Sequence, residues 1–132
     1  MIRQHDTLIG LRDALRQFAA ARDWQQFHTP KNLATALCVE AAELLEHFQW
    51  LTADQSARLD GRRKRAVADE IADVLLYLTR LADALQIDPL AAAQRKLRQN
   101  ARKYPVAKAR GNARKYSELG ALQIGSRGRV KR

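Results

Sequence analysis

Leucine, valine and phenylalanine return every three or four residues through most of this chain, and that spacing limits the fold more than any other feature. Leu8, Leu11, Leu15 and Phe18 mark one stripe over about residues 6 to 22. Leu33, Leu37, Leu44 and Phe48 mark a second, which opens at Thr29-Pro30 and ends near Trp50. Threonine can cap a helix and proline suits its first position, so this start has a mechanism. Val67, Val74, Leu78, Leu81 and Leu85 mark a third stripe, from about Arg63 to Leu85. Asp88-Pro89 repeats the cap-plus-proline start, and a fourth helix should stop near Tyr104, because the residue before Pro105 disfavours helical backbone. Helical periods without a convincing strand pattern predict an all-α chain. The polar link "LTADQSARLDGRRKR" has room for one short helical turn, with a break at Gly61. Connections this short make neighbouring helices antiparallel, so the expected architecture is a four-helix bundle.

At 132 residues the chain is long enough to bury a core without staples. We read residues 1–105 as one folded domain and residues 106–132 as a basic C-terminal tail, partly docked or disordered. The formal net charge of +10 is concentrated in that tail, where 8 Lys and Arg face 1 acid, against 16 and 13 in the rest. The charge therefore says little about the folded body. The single cysteine, Cys38, excludes an intramolecular disulfide and, lying in a helical run, is expected to be buried. No apolar run approaches the ~20 residues that span a bilayer, and the N-terminus lacks a signal-peptide core. The expectation is a soluble, cytoplasmic protein without a membrane partner.

Against this basic background, "CVEAAELLEHFQW" places glutamates beside leucines. With about 100° per residue and Glu40 at zero, Glu43 falls near −60°, His47 near −20°, and Leu33, Leu37 and Leu44 at about +20° to +60°. Glu40 and Glu43 thus border the apolar stripe, while Glu46, at about −120°, turns away. The third helix repeats the pattern. From Glu70 at zero, Asp73 falls near −60° and Tyr77 near −20°, with Val67, Val74, Leu81 and Leu85 at about +20° to +60°. Two antiparallel helices so marked can bring four carboxylates together. Such a set repels itself unless some groups protonate or a cation neutralises them. All-oxygen donors select a hard cation, Mg²⁺ or Mn²⁺. Magnesium held by helix carboxylates points to phosphoryl chemistry. No HExxH, Glu-x-x-His or glycine-rich phosphate loop offers another route.

These residues resemble the MazG-like, all-α nucleoside triphosphate (NTP) pyrophosphatases. The resemblance rests on "VEAAELLEHFQW" followed by "DEIADVLLYLTRLADAL". The family signature is E-E-x-x-E, a spacer, then E-x-x-D. Glu40-x-x-Glu43 and Glu70-x-x-Asp73 match it across 26 residues, with Val39 in place of the first glutamate. "RDWQQFHTPKNLATAL" and "NARKYP" bring the chain closer to the dCTP pyrophosphatase branch, in which four acids bind metal. The match runs from about residue 8 to 119. It implies hydrolysis of an NTP to the monophosphate and pyrophosphate, with Glu40, Glu43, Glu70 and Asp73 as metal-binding and catalytic residues. It also implies a homodimer or homotetramer with shared sites, in keeping with the wide apolar stripes.

The resemblance extends to the substrate. Lys96 and Asn100, on one flank of the fourth helix with Lys103, match positions that contact the phosphates. Trp24 and Trp50 are expected to line the base pocket, contributed by different subunits, and His28 to hydrogen-bond the base or a phosphate. Tyr77 is expected to pack against the sugar and disfavour a 2′-hydroxyl. Close dCTP-specific members tend to carry histidine where this chain has Leu15, a departure that bears on the choice of base more than on the reaction. The expected substrate is a deoxy-pyrimidine triphosphate such as dCTP or a modified form. Two rival readings are a helical nucleic-acid-binding protein using the basic tail, and a catalytically silent helical assembly protein. Nucleic acid is not the expected partner of the first reading.

Overall fold

Asp60 decides where the longest helix begins. Its carboxylate accepts from the Arg63 amide at 2.7 Å and caps a 24-residue helix, so Gly61 opens that helix and does not merely break the link before it. The computed structural model describes residues 6–121, and among them there are seven helices and no strand. Contacts divide the chain into two compact units, Met1–Pro89 and Leu90–Arg132.

The first unit holds α1 (Leu8–Ala20), α2 (Pro30–Glu46), α3 (Ala53–Ser56) and α4 (Gly61–Ala84). Each starts on a side-chain cap. Thr7 accepts from Gly10 N at 3.0 Å, Thr29 from Asn32 N at 3.2 Å, and Thr52 forms a reciprocal capping box with Gln55. The Thr29-Pro30 start expected from the sequence is the one observed. The outer ends are shorter than the periodicity suggests: α1 starts two residues later and ends two earlier, and α2 gives way to turns from His47 to Trp50.

Two helices finish without glycine. Asp23 and Gln86 take left-handed backbone, with φ of 52° and 56°. The amides that follow them reach back five residues, Trp24 N to Ala19 O at 3.0 Å and Ile87 N to Ala82 O at 2.8 Å. This is the Schellman arrangement, which satisfies a terminal carbonyl and turns the chain sharply.

Helix α4 packs against α2 and α1. His28 meets Arg80 at one end of the α2–α4 pair and His47 meets Glu70 at the other, so the two run antiparallel, as the short link implies. Arg16 on α1 grips Asp83 on α4 with two bonds, Nε to Oδ2 at 2.7 Å and Nη2 to Oδ1 at 2.5 Å. Ala19, Leu33, Val67 and Ala82 form the buried apolar centre, with Thr79 beside them in burial. Leu78 and Leu85, expected on the buried stripe, are instead 43% and 48% exposed. The buried positions at this end of α4 are small side chains, which allow close helix approach, and the longer leucines are left outside that contact.

Cys38 corrects another expectation: it is exposed. It lies about 160° from Glu40 on the wheel, across the helix from the leucines, so the wheel and not the residue type determines its place.

The second unit holds α5 from its second residue onward (Pro89–Lys103), α6 (Val106–Ala109) and α7 (Tyr116–Ala121). Tyr104 and Tyr116 meet edge to face at 6.4 Å between ring centroids, and Leu119 is buried. Residues 106–121, read as part of the tail, thus include two short helices, and the remaining tail residues, 122–132, lie outside the described residues.

Candidate active site

One carboxylate oxygen from each of Glu40, Glu43 and Glu70 lies within 4.8 Å of the others. The cause is local. On α2, Glu40 and Glu43 are one turn apart beside the leucine stripe, and on the antiparallel α4, Glu70 borders the matching stripe. Glu43 is exposed, whereas Glu40 and Glu70 are half-buried. Asp73 is not one of the three that approach this closely, but its charge still acts on Glu40.

Burial raises the Glu40 pKa above the usual carboxylate value, and the neighbouring charges of Glu43, Asp73 and Glu70 raise it further. The other half of Glu70 is unusual: Oε2 is buried and has no hydrogen-bond partner. Oε1 lies 3.8 Å from His47 Nε2. A buried, unpartnered carboxylate oxygen is costly unless something positive faces it. An all-oxygen set with such an orphan fits a hard divalent cation better than it fits a solvated acidic face.

A second constellation lies around Trp24. The Schellman turn at Asp23 delivers Trp24 against Phe18, ring centroids 5.7 Å apart, and against His28 at 6.1 Å. The Arg22 guanidinium stacks over Phe18 at 3.6 Å from the ring centroid. Arg80 donates through Nε to His28 Nδ1 at 3.2 Å and through Nη1 to Asp83 Oδ2 at 3.3 Å. The Arg16 fork holds the Asp83 carboxyl below its ordinary range. Burial, aided by the Arg80 charge, lowers the His28 pKa. An open groove of ≈ 400 Å³ is lined by Arg16, Gln17, Ala20, Gln25, Arg80 and Asp83.

The remaining residues singled out by the sequence fall as follows. Tyr77 is half-buried on α4, one turn beyond Asp73. Trp50 stands in the turn after α2 and is 86% exposed, and among the described residues no ring contact joins it to Trp24. Lys96 is exposed and Asn100 half-buried, both on α5 in the second unit. Sequence reasoning missed Arg16, Arg80 and Asp83 altogether. Arg16 and Asp83 are 67 residues apart, and nothing in either helix alone marks them as partners. It also passed over His47, although its wheel position beside Glu40 was a usable signal.

Comparison with known proteins identifies the family. The model of the MazG-like family matches residues 35–119. Human (Homo sapiens) dCTP pyrophosphatase 1 is 44% identical over 116 residues, which span 86% of this chain and 68% of that protein. The Bos taurus dCTP pyrophosphatase 1 is 41% identical over 115 residues, with the same shares. A crystal structure of a pyrophosphatase from Archaeoglobus fulgidus superposes with a TM-score of 0.68 at 50% sequence identity, covering 70% of this chain and 87% of that one. A match over well more than half of the sequence, a range that includes both acid pairs, means that this chain belongs to the MazG-like family.

Proposed function

We propose that this protein hydrolyses a nucleoside triphosphate to the monophosphate and pyrophosphate, with Mg²⁺, or Mn²⁺ in its place, as the required cation. The observation that carries the reading is the convergence of one carboxylate oxygen from each of Glu40, Glu43 and Glu70, and Glu70 also carries a buried oxygen without a hydrogen-bond partner. In this reading those three and Asp73 hold the cation. A cation held there would neutralise phosphate charge and make water a better nucleophile. A carboxylate of the set that does not engage the cation accepts the proton of the attacking water.

Lys96 and Asn100 bind the phosphates. Trp24 and Trp50 present flat apolar surfaces for the base, and His28, next to Trp24, offers a polar group. Tyr77 packs against the sugar and disfavours a 2′-hydroxyl. The preferred substrate is a deoxy-pyrimidine triphosphate, as in the relatives named dCTP pyrophosphatase 1. A panel of canonical and modified (d)NTPs with Mg²⁺, scored for both pyrophosphate and orthophosphate, tests this directly. Pyrophosphate from a deoxy-pyrimidine is the expected result. Release of orthophosphate from every substrate, or no turnover of any triphosphate, rejects it.

The working form in this reading is a homodimer or homotetramer. Ile71, Leu75 and Leu78 follow one another along α4 at helical spacing and are 52%, 42% and 43% exposed, and Leu45 on α2 is 59% exposed. A run of apolar residues of this kind marks an interface more often than a solvated face. Light scattering after gel filtration is expected to give at least twice the 15.0 kDa chain mass. Introducing Ile71→Glu with Leu75→Glu should shift that mass toward one chain. A monomer at micromolar concentration for the unaltered protein removes the proposal of shared sites.

A further inference from the structure

We propose that Arg80 is a positioning residue for base recognition, fixing His28 as a neutral ring that carries its proton on Nε2 and so presents a donor and never an acceptor there. The proposal rests on the reading of Trp24 and His28 as the base end of the site, and goes beyond it by assigning the residue that sets what His28 can recognise.

The geometry leaves little freedom. A guanidinium has donors and no acceptor. Arg80 Nε points at His28 Nδ1 across 3.2 Å, so Nδ1 must be the lone-pair nitrogen, and the neutral ring then carries hydrogen on Nε2. Arg80 cannot easily turn away. Its Nη1 is tied to Asp83, and Asp83 is anchored in turn by the two-pronged grip of Arg16 from α1. The side chains of Arg80 and Asp83 are only 13% and 10% exposed. Three elements therefore hold one tautomer: α1 through Arg16, α4 through Asp83 and Arg80, and the turn before α2 through His28 itself.

The charges around His28 act the same way. Arg80 faces it from α4 and opposes protonation. Asp83, the nearby acid that could favour a charged imidazole, is already bound by Arg16 and Arg80. From the turn after α1, Trp24 presents an aromatic ring, and the Arg22 guanidinium is 6.0 Å from that ring's centroid. A ring held in this way favours a base edge that offers a carbonyl oxygen or an unprotonated ring nitrogen. It disfavours an edge that offers N–H or an amine, since two donors would then face each other. Cytosine, with adjacent O2 and N3 acceptors, has such an edge.

The direct test is nitrogen NMR of His28 in the full-length protein. The expected spectrum shows one tautomer, protonated on Nε2, that remains neutral to a lower pH than an ordinary histidine. Arg80→Gln is expected to give mixed tautomers and a more ordinary titration. Its KM for dCTP should rise about tenfold with kcat changed about twofold or less, the pattern of lost binding and not of lost chemistry. Arg80→Lys, which keeps a donor, should recover part of the KM. A His28 in the unaltered protein that is protonated on Nδ1, or cationic at neutral pH, overturns the proposal, whether or not the variants fold. An Nε2–H tautomer in a protein that turns over no triphosphate leaves the Arg80–His28 assignment standing and rejects the pyrophosphohydrolase reading. Turnover of dCTP with an Arg80→Gln KM equal to that of the unaltered protein rejects the role in base recognition alone.

Discussion

Glu43→Gln is expected to cut pyrophosphate release by about 10²–10³-fold, the scale of losing one preorganised electrostatic contact at a transition state, with no loss of fold. The structure makes this a sharper test than the same change at Glu70. Glu43 is exposed at the rim of the cluster, so its amide form meets water and leaves no new buried orphan. After burial, its carboxylate, as hydrogen-bond partner and as charge, is what most raises the proton affinity of Glu40. Removing that charge relieves repulsion, so the metal-free variant should melt at the same temperature as the parent or slightly higher. Activity and stability thus move independently, which a merely structural glutamate would not allow. Glu46→Gln is the matched control, because Glu46 is one turn further on α2, exposed, and rotated away from the cluster. Circular dichroism and a pyrophosphate assay on both variants decide the matter. Glu43→Gln retaining turnover near the parent level would remove the catalytic role given to the acid cluster.

The contrast between what the sequence revealed and what it hid follows from contact range. The approach of Glu40, Glu43 and Glu70 was legible because each acid pair is a one-turn spacing within a single helix and the same offset from an apolar stripe occurs twice; Asp73 does not come as close. Capping at Thr29 was legible for the same reason, since two adjacent residues, Thr29 and Pro30, carry the signal. The Arg16–Asp83–Arg80–His28 chain was not. It links three elements, and Arg16, Arg80 and Asp83 each look like an ordinary surface charge in their own helix. The turn that seats Trp24 was equally hidden, because its left-handed residue is Asp23 where glycine is the usual marker. Cys38 was misplaced because residue type was allowed to outweigh its wheel position. Local periodicity reports which face a residue shares with its own helix; it is silent on which partner that face meets.

Protein stripped of divalent cations is expected to lose stability as the pH rises from about the ordinary glutamate value of 4.5, and Mg²⁺ is expected to restore it by an amount that grows over the same interval. The sign follows from Glu40. Its folded-state pKa is raised above 4.5, chiefly by burial and then by the charges of Glu43, Asp73 and Glu70. Between 4.5 and that raised value the folded chain keeps a proton that the unfolded chain has released, so folding weakens as pH climbs. A cation on the same oxygens competes with that proton and removes the repulsion. Binding at 100 times its Kd adds about 2.7 kcal/mol in any case, and the pH dependence is the added signature of this site. His28 gives a slope of opposite sign. Its pKa is lowered from 6.5, so its contribution is present above that value and lost as the pH falls below it. Asp83, lowered from 3.8, adds a loss only at still lower pH. Thermal melts from pH 4.5 to 8, with EDTA and with Mg²⁺, should therefore show a shift that widens and then levels once Glu40 is ionised in the folded chain. Glu40→Gln separates the contributions: it removes the Glu40 slope and leaves that of His28. A Mg²⁺ shift that is flat with pH, or equally large in Glu40→Gln, means that the cation binds elsewhere, because no other arrangement of the described carboxylates ties proton release at Glu40 to metal capture.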